Sequence, residues 1–264
     1  TRGGKVSFTH IIGYAIVRAI ADAVPNMNNT FATGTDGKPR LVRNEHINMG
    51  LAVDVSKADG SRTLVVPVLR EADALDFAGF LAAYDDLIRK VKSNKLAVSD
   101  FQGATISLTN PGTIGTVQSG PRLMPGQGVI VGVGSIDYPA EFQGADQSTL
   151  GSLGVSKVVT ITSTYDHRIV QGAESGTFLK RVHELLLGEH QFYDDVFRSL
   201  GVPYEAVQWH VDQNPVNSED AMLHKQMQIA TLIRAHRARG HLIADLDPLR
   251  WKEPKMYEEL DPAT

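Results

Sequence analysis

The stretch Thr162–Ser175, "TSTYDHRIVQGAES", sets His167 between Asp166 and Arg168, with Gly172 shortly after. Imidazole is the side chain that gains and loses a proton near neutral pH, so a histidine held between two charges can serve as a general base toward a thiol or hydroxyl. Packing or surface exposure is the alternative for any one of the chain's nine histidines. The chain has no cysteine and no G-x-S-x-G elbow, which leaves little support for a nucleophile of the protein's own. A base at His167 would then activate a nucleophile carried by the substrate. Attack of that nucleophile on an acyl carbonyl creates an oxyanion, which needs a hydrogen-bond donor. Thr109, near the end of "ATISLTN" and just before Asn110, Pro111 and Gly112, is a candidate donor; a turn-forming hydroxyl is the other reading.

Two glycine patterns point away from nucleotides. "PGTIG" lacks the Lys-Ser/Thr of a phosphate loop, and "GVIVGVGS" carries its glycines inside an apolar run instead of between strand and helix. The basic cluster "LIRAHRARGH" reads as a solvated helix face, with contact to an anionic ligand or partner as the lesser option.

These residues need elements to hold them. Ile12, Ala15, Ile16, Ala19, Ile20 and Ala23 repeat at helical spacing, and Pro25 ends that helix. "GLAVDVS" and "TLVVPVLR" read as two strands joined through a turn at Asp59-Gly60. A second helix carries Phe77, Phe80, Leu81, Tyr84, Leu87, Ile88 and Val91 on one face, with Asp73 and Asp76 near its start and Arg89, Lys90 and Lys92 near its end, as its dipole favours. "GATISLTN", the apolar "VIVGVGS" and the β-branched "KVVTITSTY" are strands, separated by a Gly/Pro turn region and a looser stretch from Tyr138 to Gly154. "GAESGTFLKRVHELLLG" is a helix stopped by Gly188, so His167 falls at a strand-to-helix joint. From about His190 the periodicity lapses, and a helix resumes over residues 221–240; residues 189–219 therefore read as a linker to another unit.

A chain of 264 residues can bury a full core and carry an appendage. With 26 Lys+Arg against 30 Asp+Glu, a net charge of −4 supplies no general attraction to nucleic acid or membrane. The absent cysteines exclude a disulfide framework and a thiolate zinc site, and no metal is expected in the chain. No apolar run approaches a membrane span and no secretory signal opens the chain, so a cytoplasmic protein is expected.

In order, "KVSFTHIIGYAIVRAIADAVPNMN", "NMGLAVDV", "LVVPVLREAD", "FQGATISLTNPGTIGT", "PGQGVIVGVGSID" and "TSTYDHRIVQGAESGTFLKRVHELL" resemble the catalytic domain of dihydrolipoyl acyltransferases. The resemblance covers residues 1 to 188. "TNPGTIGTVQSGPRLMPGQG" and "STYDHRIVQGAESG" are worded as in the subgroup whose succinyl-transferring domain is fused to an actinobacterial 2-oxoglutarate dehydrogenase. "ATLIRAHRARGHLIADLDPL" resembles the start of the thiamine-dependent dehydrogenase component, making residues 220–264 the opening of that region. The chain is expected to begin inside the family's catalytic domain, after its usual first helix and strand.

The resemblance implies an α/β fold like chloramphenicol acetyltransferase, a mixed sheet flanked by helices, with a helical C-terminal appendage. It implies homotrimers or larger homo-oligomers, and an active site between subunits. His167 would take the thiol proton of coenzyme A or dihydrolipoamide, and Thr109 of a neighbouring subunit would stabilise the oxyanion. Asp166, Arg168, Gln171 and Asn110 would support them. The family's usual motif, D-H-R-x-x-D-G, has an acid where this chain has Gln171, which bears on rate more than on chemistry. Implied partners are a lipoyl domain of another complex component and dihydrolipoamide dehydrogenase. Thiamine diphosphate and magnesium would belong to the parent protein and lie outside this fragment. His46 and Arg122 are the candidates for the succinyl carboxylate. A trimeric scaffold with weak catalysis is the alternative function, motivated by Gln171.

Overall fold

The apolar stripe of the first helix becomes α1, Phe8–Asp22, where Ile12, Ala15, Ile16, Ala19 and Ile20 are buried. Burial does not stop at the stripe: Gly13, Tyr14 and Val17 are covered as well. Gly13 explains how. A Cβ there would stand 3.3 Å from both Leu108 and Phe80, so the bare glycine lets the helix axis settle between the sheet and its neighbouring helix. Each large aliphatic side chain withdrawn from water in this way contributes roughly 1.5–3 kcal/mol. Pro25 ends α1 as expected and opens a 3-10 turn, Pro25–Asn28.

This computed structural model describes residues 6–56, 59–203, 219–243 and Leu260. The chain divides into two compact units, residues 1–209 and 210–264. In the first, α1 is followed by a hairpin, β1 (Thr30–Thr33) with β2 (Pro39–Val42), then β3 (Met49–Ser56), β4 (Arg62–Val65) and β5 (Val68–Leu69). Then come α2 (Phe77–Lys92), β6 (Ile106–Thr109), β7 (Val129–Val133), α3 (Gln147–Leu153), β8 (Ile161–Tyr165), α4 (Gly172–Leu186) and α5 (Phe192–Ser199). The second unit contains α6, Glu219–Arg239. No helix among the described residues is long and apolar enough to cross a membrane.

Six strands form one mixed sheet, ordered β4-β3-β6-β7-β8, with β5 also paired to β3. Strands β3, β6 and β7 are parallel, whereas β4, β5 and β8 run antiparallel to their neighbours. Alternation sorts the two faces. Met49, Leu51, Ile106, Leu108, Val129, Val131 and Val133 join one core with α1, α2, α4 and α5. A mixed sheet flanked by helices is the architecture expected from the sequence.

Three departures have local causes. "TLVVPVLR" is two strands, because Pro67 has no N–H to donate; its carbonyl still accepts from the Leu51 amide at 2.8 Å, and pairing with β3 resumes beyond it. Helix α3 falls in the stretch read as irregular: only Leu150 is buried, and the helix is started by Asp146, whose Oδ1 accepts from the Ser148 and Thr149 amides. The stretch read as linker opens with α5, whose Phe192 and Val196, one turn apart, are both buried in the core. Residues 204–218, the rest of that linker, lie outside the described residues, as does most of the tail beyond Ile243.

Candidate active site

Strand β8 delivers His167, and the turn behind it is tightly tied. The Asp166 amide donates to the Gly128 carbonyl at 3.1 Å, and the Asp166 carbonyl accepts from the Ile169 and Val170 amides at 3.1 and 3.0 Å. Arg168 reaches back across His167 to the same aspartate: Nε donates to Oδ1 at 2.8 Å and Nη2 to Oδ2 at 2.6 Å. The Asp166 side chain is 10% exposed and that of Arg168 62%. Hydrogen bonding from Arg168 holds the Asp166 carboxyl below the usual carboxylate range, against the opposing effect of desolvation. His167 itself is exposed, its ring 5.4 Å from that of Tyr165.

Gln171 caps the start of α4 in extended backbone. Its amide donates to Glu174 Oε2 at 2.7 Å, while Asn26 Nδ2 donates to Glu174 Oε1 and to the Ile169 carbonyl, each at 2.9 Å. The His167 turn is thereby fastened at its far end too.

Thr109 ends β6, half-buried, paired with Ala52 and Gly132. Asn110 Nδ2 donates to Thr9 Oγ1 at 2.8 Å, linking this strand end to the start of α1. The glycines that follow serve backbone contact. A Cβ on Gly112 would sit 2.1 Å from the Gly134 carbonyl, and one on Gly134 would sit 1.9 Å from the Val117 carbonyl. Both glycine patterns of the sequence thus press the Thr109 loop against the end of β7.

Sheet register separates the two candidate residues. Thr109 lies level with Gly132 and hence with Thr162, whereas Tyr165 lies level with Val129. Three residue steps along β8 amount to about 10 Å, and two strand spacings to about 10 Å more, before His167 extends the gap further. Because β8 is antiparallel to β7, Thr109 and His167 stand on opposite rims of the sheet in one chain. They cannot meet one reacting carbon within a protomer.

His46 lies on the His167 rim, just before Met49, which is level with Tyr165 across the sheet. Its Nδ1 is 3.2 Å from Asp73 Oδ2, and Asp73 Oδ1 accepts from the Ile47 amide at 2.7 Å. The hydrogen bond that the His46 ring donates to the Asp73 carboxylate raises the imidazole pKa above its ordinary value. So Asp73, read from sequence as a helix-start charge, instead grips His46, and Asp76 is the residue that caps α2, accepting from the Gly79 amide. Arg122 is exposed on the loop between β6 and β7. A recess of about 800 Å³ among Tyr14, Arg18, Asp73, Arg181, Phe192 and Arg198 includes neither His167 nor Thr109. Its charges are already engaged, Arg18 with Asp22 and Arg198 with Asp195. Glu184, Glu189 and His190 cluster within ligating distance of one another, but the Arg181 guanidinium touches His190 Nε2, placing a cation where a metal would sit.

Such a strand-end histidine turn and hydroxyl loop, on a helix-flanked mixed sheet, define a class. Residues 1–192 match the family of 2-oxoacid dehydrogenase acyltransferase catalytic domains, and the chain belongs to that family. It is 57% identical over 250 residues to a multifunctional 2-oxoglutarate metabolism enzyme of Mycobacterium sp. (strain JLS), covering 95% of this chain and 19% of the relative. The chain therefore spans about a fifth of the length of the curated relatives it matches. Among solved structures, the cubic core of a pyruvate dehydrogenase multienzyme complex is similar at a TM-score of 0.58 and 25% identity, over 72% of each chain. So is the dihydrolipoamide acetyltransferase of Azotobacter vinelandii, at the same score, identity and coverage, in a study of the catalytic roles of a serine, a histidine and an asparagine.

Proposed function

We propose that this chain transfers succinyl groups between dihydrolipoamide and coenzyme A, as the acyltransferase part of a fused 2-oxoglutarate dehydrogenase of the tricarboxylic acid cycle. The observation that carries the reading is the pair His167 and Thr109, each at the end of a strand of an acyltransferase sheet and on opposite rims. Opposite rims make sense if the rims of two protomers meet. A head-to-tail contact that closes into a ring places the His167 turn of one copy beside the Thr109 loop of the next. Ile114 and Val117, on that loop, are 70% and 61% exposed in the single chain, as apolar residues destined for a contact would be.

In this arrangement neutral His167 takes the proton of the attacking thiol, and the thiolate adds to the thioester carbonyl. The Thr109 hydroxyl of the neighbouring copy donates to the resulting oxyanion. Collapse expels the other thiolate, which recovers the proton from His167. No acyl-enzyme forms, consistent with the absence of cysteine and of a serine elbow. Gln171 stands four residues after His167, as the asparagine named for the Azotobacter protein stands after its histidine, so a side-chain amide at this position is compatible with catalysis. A lipoyl domain carrying the succinyl group and dihydrolipoamide dehydrogenase are the partners this activity calls for. His46, gripped by Asp73 on the His167 rim, is the better placed of the two candidates for the succinyl carboxylate.

The test is protomer mixing. His167→Ala alone should lower the rate of succinyl transfer from succinyl-CoA to dihydrolipoamide by about 10²- to 10⁴-fold, and Thr109→Ala by about 10²- to 10³-fold. Co-assembled in equal amounts, the two inactive variants should regain about a quarter of wild-type activity, the share of interfaces that unite an intact histidine with an intact threonine. Full activity in the histidine variant would remove the base and leave the scaffold reading; no recovery on mixing would remove the shared site.

A further inference from the structure

The hairpin formed by β1 and β2 does not pair with the main sheet, yet one of its residues meets the catalytic turn. The Arg168 guanidinium carbon lies 3.7 Å from the centroid of the Phe31 ring. That same guanidinium makes the paired hydrogen bonds to Asp166 on the other side of His167. A planar cation over an aromatic face is attracted by the ring quadrupole, and the stack restricts the rotation that an otherwise exposed arginine would keep. Resting on the proposed role of His167 as base, we propose that Phe31 is a positioning residue for His167, acting through the Arg168–Asp166 pair.

The chain of contacts is short and specific. Phe31 fixes the plane of Arg168; Arg168 fixes the Asp166 carboxylate and, through the Arg168 amide to Oδ1 at 3.1 Å, its own backbone. Asp166 is already locked to Gly128 by its amide. His167 is the one residue enclosed between these two anchors, and its ring is exposed while Arg168 is held to Asp166 and Phe31. Without the stack, Arg168 retains Asp166 as a partner but loses the surface that sets its direction. Backbone hydrogen bonds tie the turn at Asp166, and Asn26 and Glu174 tie it on the α4 side, while the ring of Phe31 is what the hairpin adds against the Arg168 side chain. Phe31 itself is half-buried, in a strand whose register partner is Leu41, which is 47% exposed. Burying the core therefore does not account for an aromatic ring at this position.

The experiment compares Phe31→Leu, which keeps apolar bulk and removes the aromatic face, with Phe31→Trp, which keeps the face, in the full-length polypeptide. Phe31→Leu should lower kcat for succinyl transfer by about tenfold, as sub-ångström misplacement of a reacting group does. KM for both thiols should stay within about twofold. Phe31→Trp should recover most of the rate, and both variants should melt close to the wild type. Equal losses in the two variants, a loss confined to KM, or an unchanged kcat in Phe31→Leu would each overturn the proposal. Nitrogen-15 spectra of the His167 ring supply a readout independent of turnover: Phe31→Leu should broaden or shift its ring signals while leaving those of His46 in place. If His167→Ala retains activity, the catalytic reading fails, and the ring spectra still decide whether Phe31 orients His167.

Discussion

Both oxygens of Asp166 accept from Arg168, and the depressed carboxyl that results makes the folded turn sensitive to acid in a definite direction. The unfolded chain binds a proton at this site more readily than the folded one. Its contribution to stability is therefore present above the ordinary carboxylate range and is lost as pH falls through the depressed folded value. Since Arg168 is largely exposed, the contribution stays within about 1 kcal/mol. Asp166→Asn should lower urea stability at pH 7 and converge on the wild type in strong acid; a gap that ignored pH would mean the charge plays no part. His46 has the opposite sign. With its pKa raised by Asp73, its contribution is complete below the ordinary imidazole value and fades as pH rises through the raised one. His167 and Thr109 stood out in the sequence as candidates because acyl-transfer chemistry restricts base and donor to few residue types, and the family resemblance is what separated them from the other readings. Phe31 and Asp73 were not, because their partners are distant in the chain and no local pattern links them.

At the scale of elements, the helices with a sustained apolar stripe, α1, α2 and α4, and the strands with dense β-branching were readable directly. The short elements were not. Helix α3 buries one side chain and depends on its Asp146 cap; α5 buries two; and the β1–β2 hairpin has a wholly exposed second strand with no alternation to read. Tertiary contact, not periodicity, sustains them. The glycines around the Thr109 loop illustrate the same point, since their role is an approach between backbones that no pattern advertises. Gly134→Ala would drive a methyl into the Val117 carbonyl and should cost about 3 kcal/mol of stability by thermal or urea unfolding. Gly144→Ala, with nothing within 4 Å of the added carbon, should stay within about 0.5 kcal/mol. An unchanged stability in Gly134→Ala would show that the backbone there yields to the added methyl without cost.

For the whole molecule, the exposed apolar loop beside Thr109 predicts its own cover. Ile114→Asp and Val117→Asp should reduce the assembly toward monomers by light scattering and abolish transfer, although His167 and Thr109 remain intact. An active monomer would refute the shared site. The direction of β8 has one more consequence. Had it run parallel to β7, base and hydroxyl would have emerged at the same edge, and a single copy could have worked alone. Running the other way, under the proposed shared site each copy would lend its imidazole to one neighbour and its threonine to another. On that proposal a damaged chain would silence two reaction centres at once, and dilution would extinguish turnover while every polypeptide is still folded.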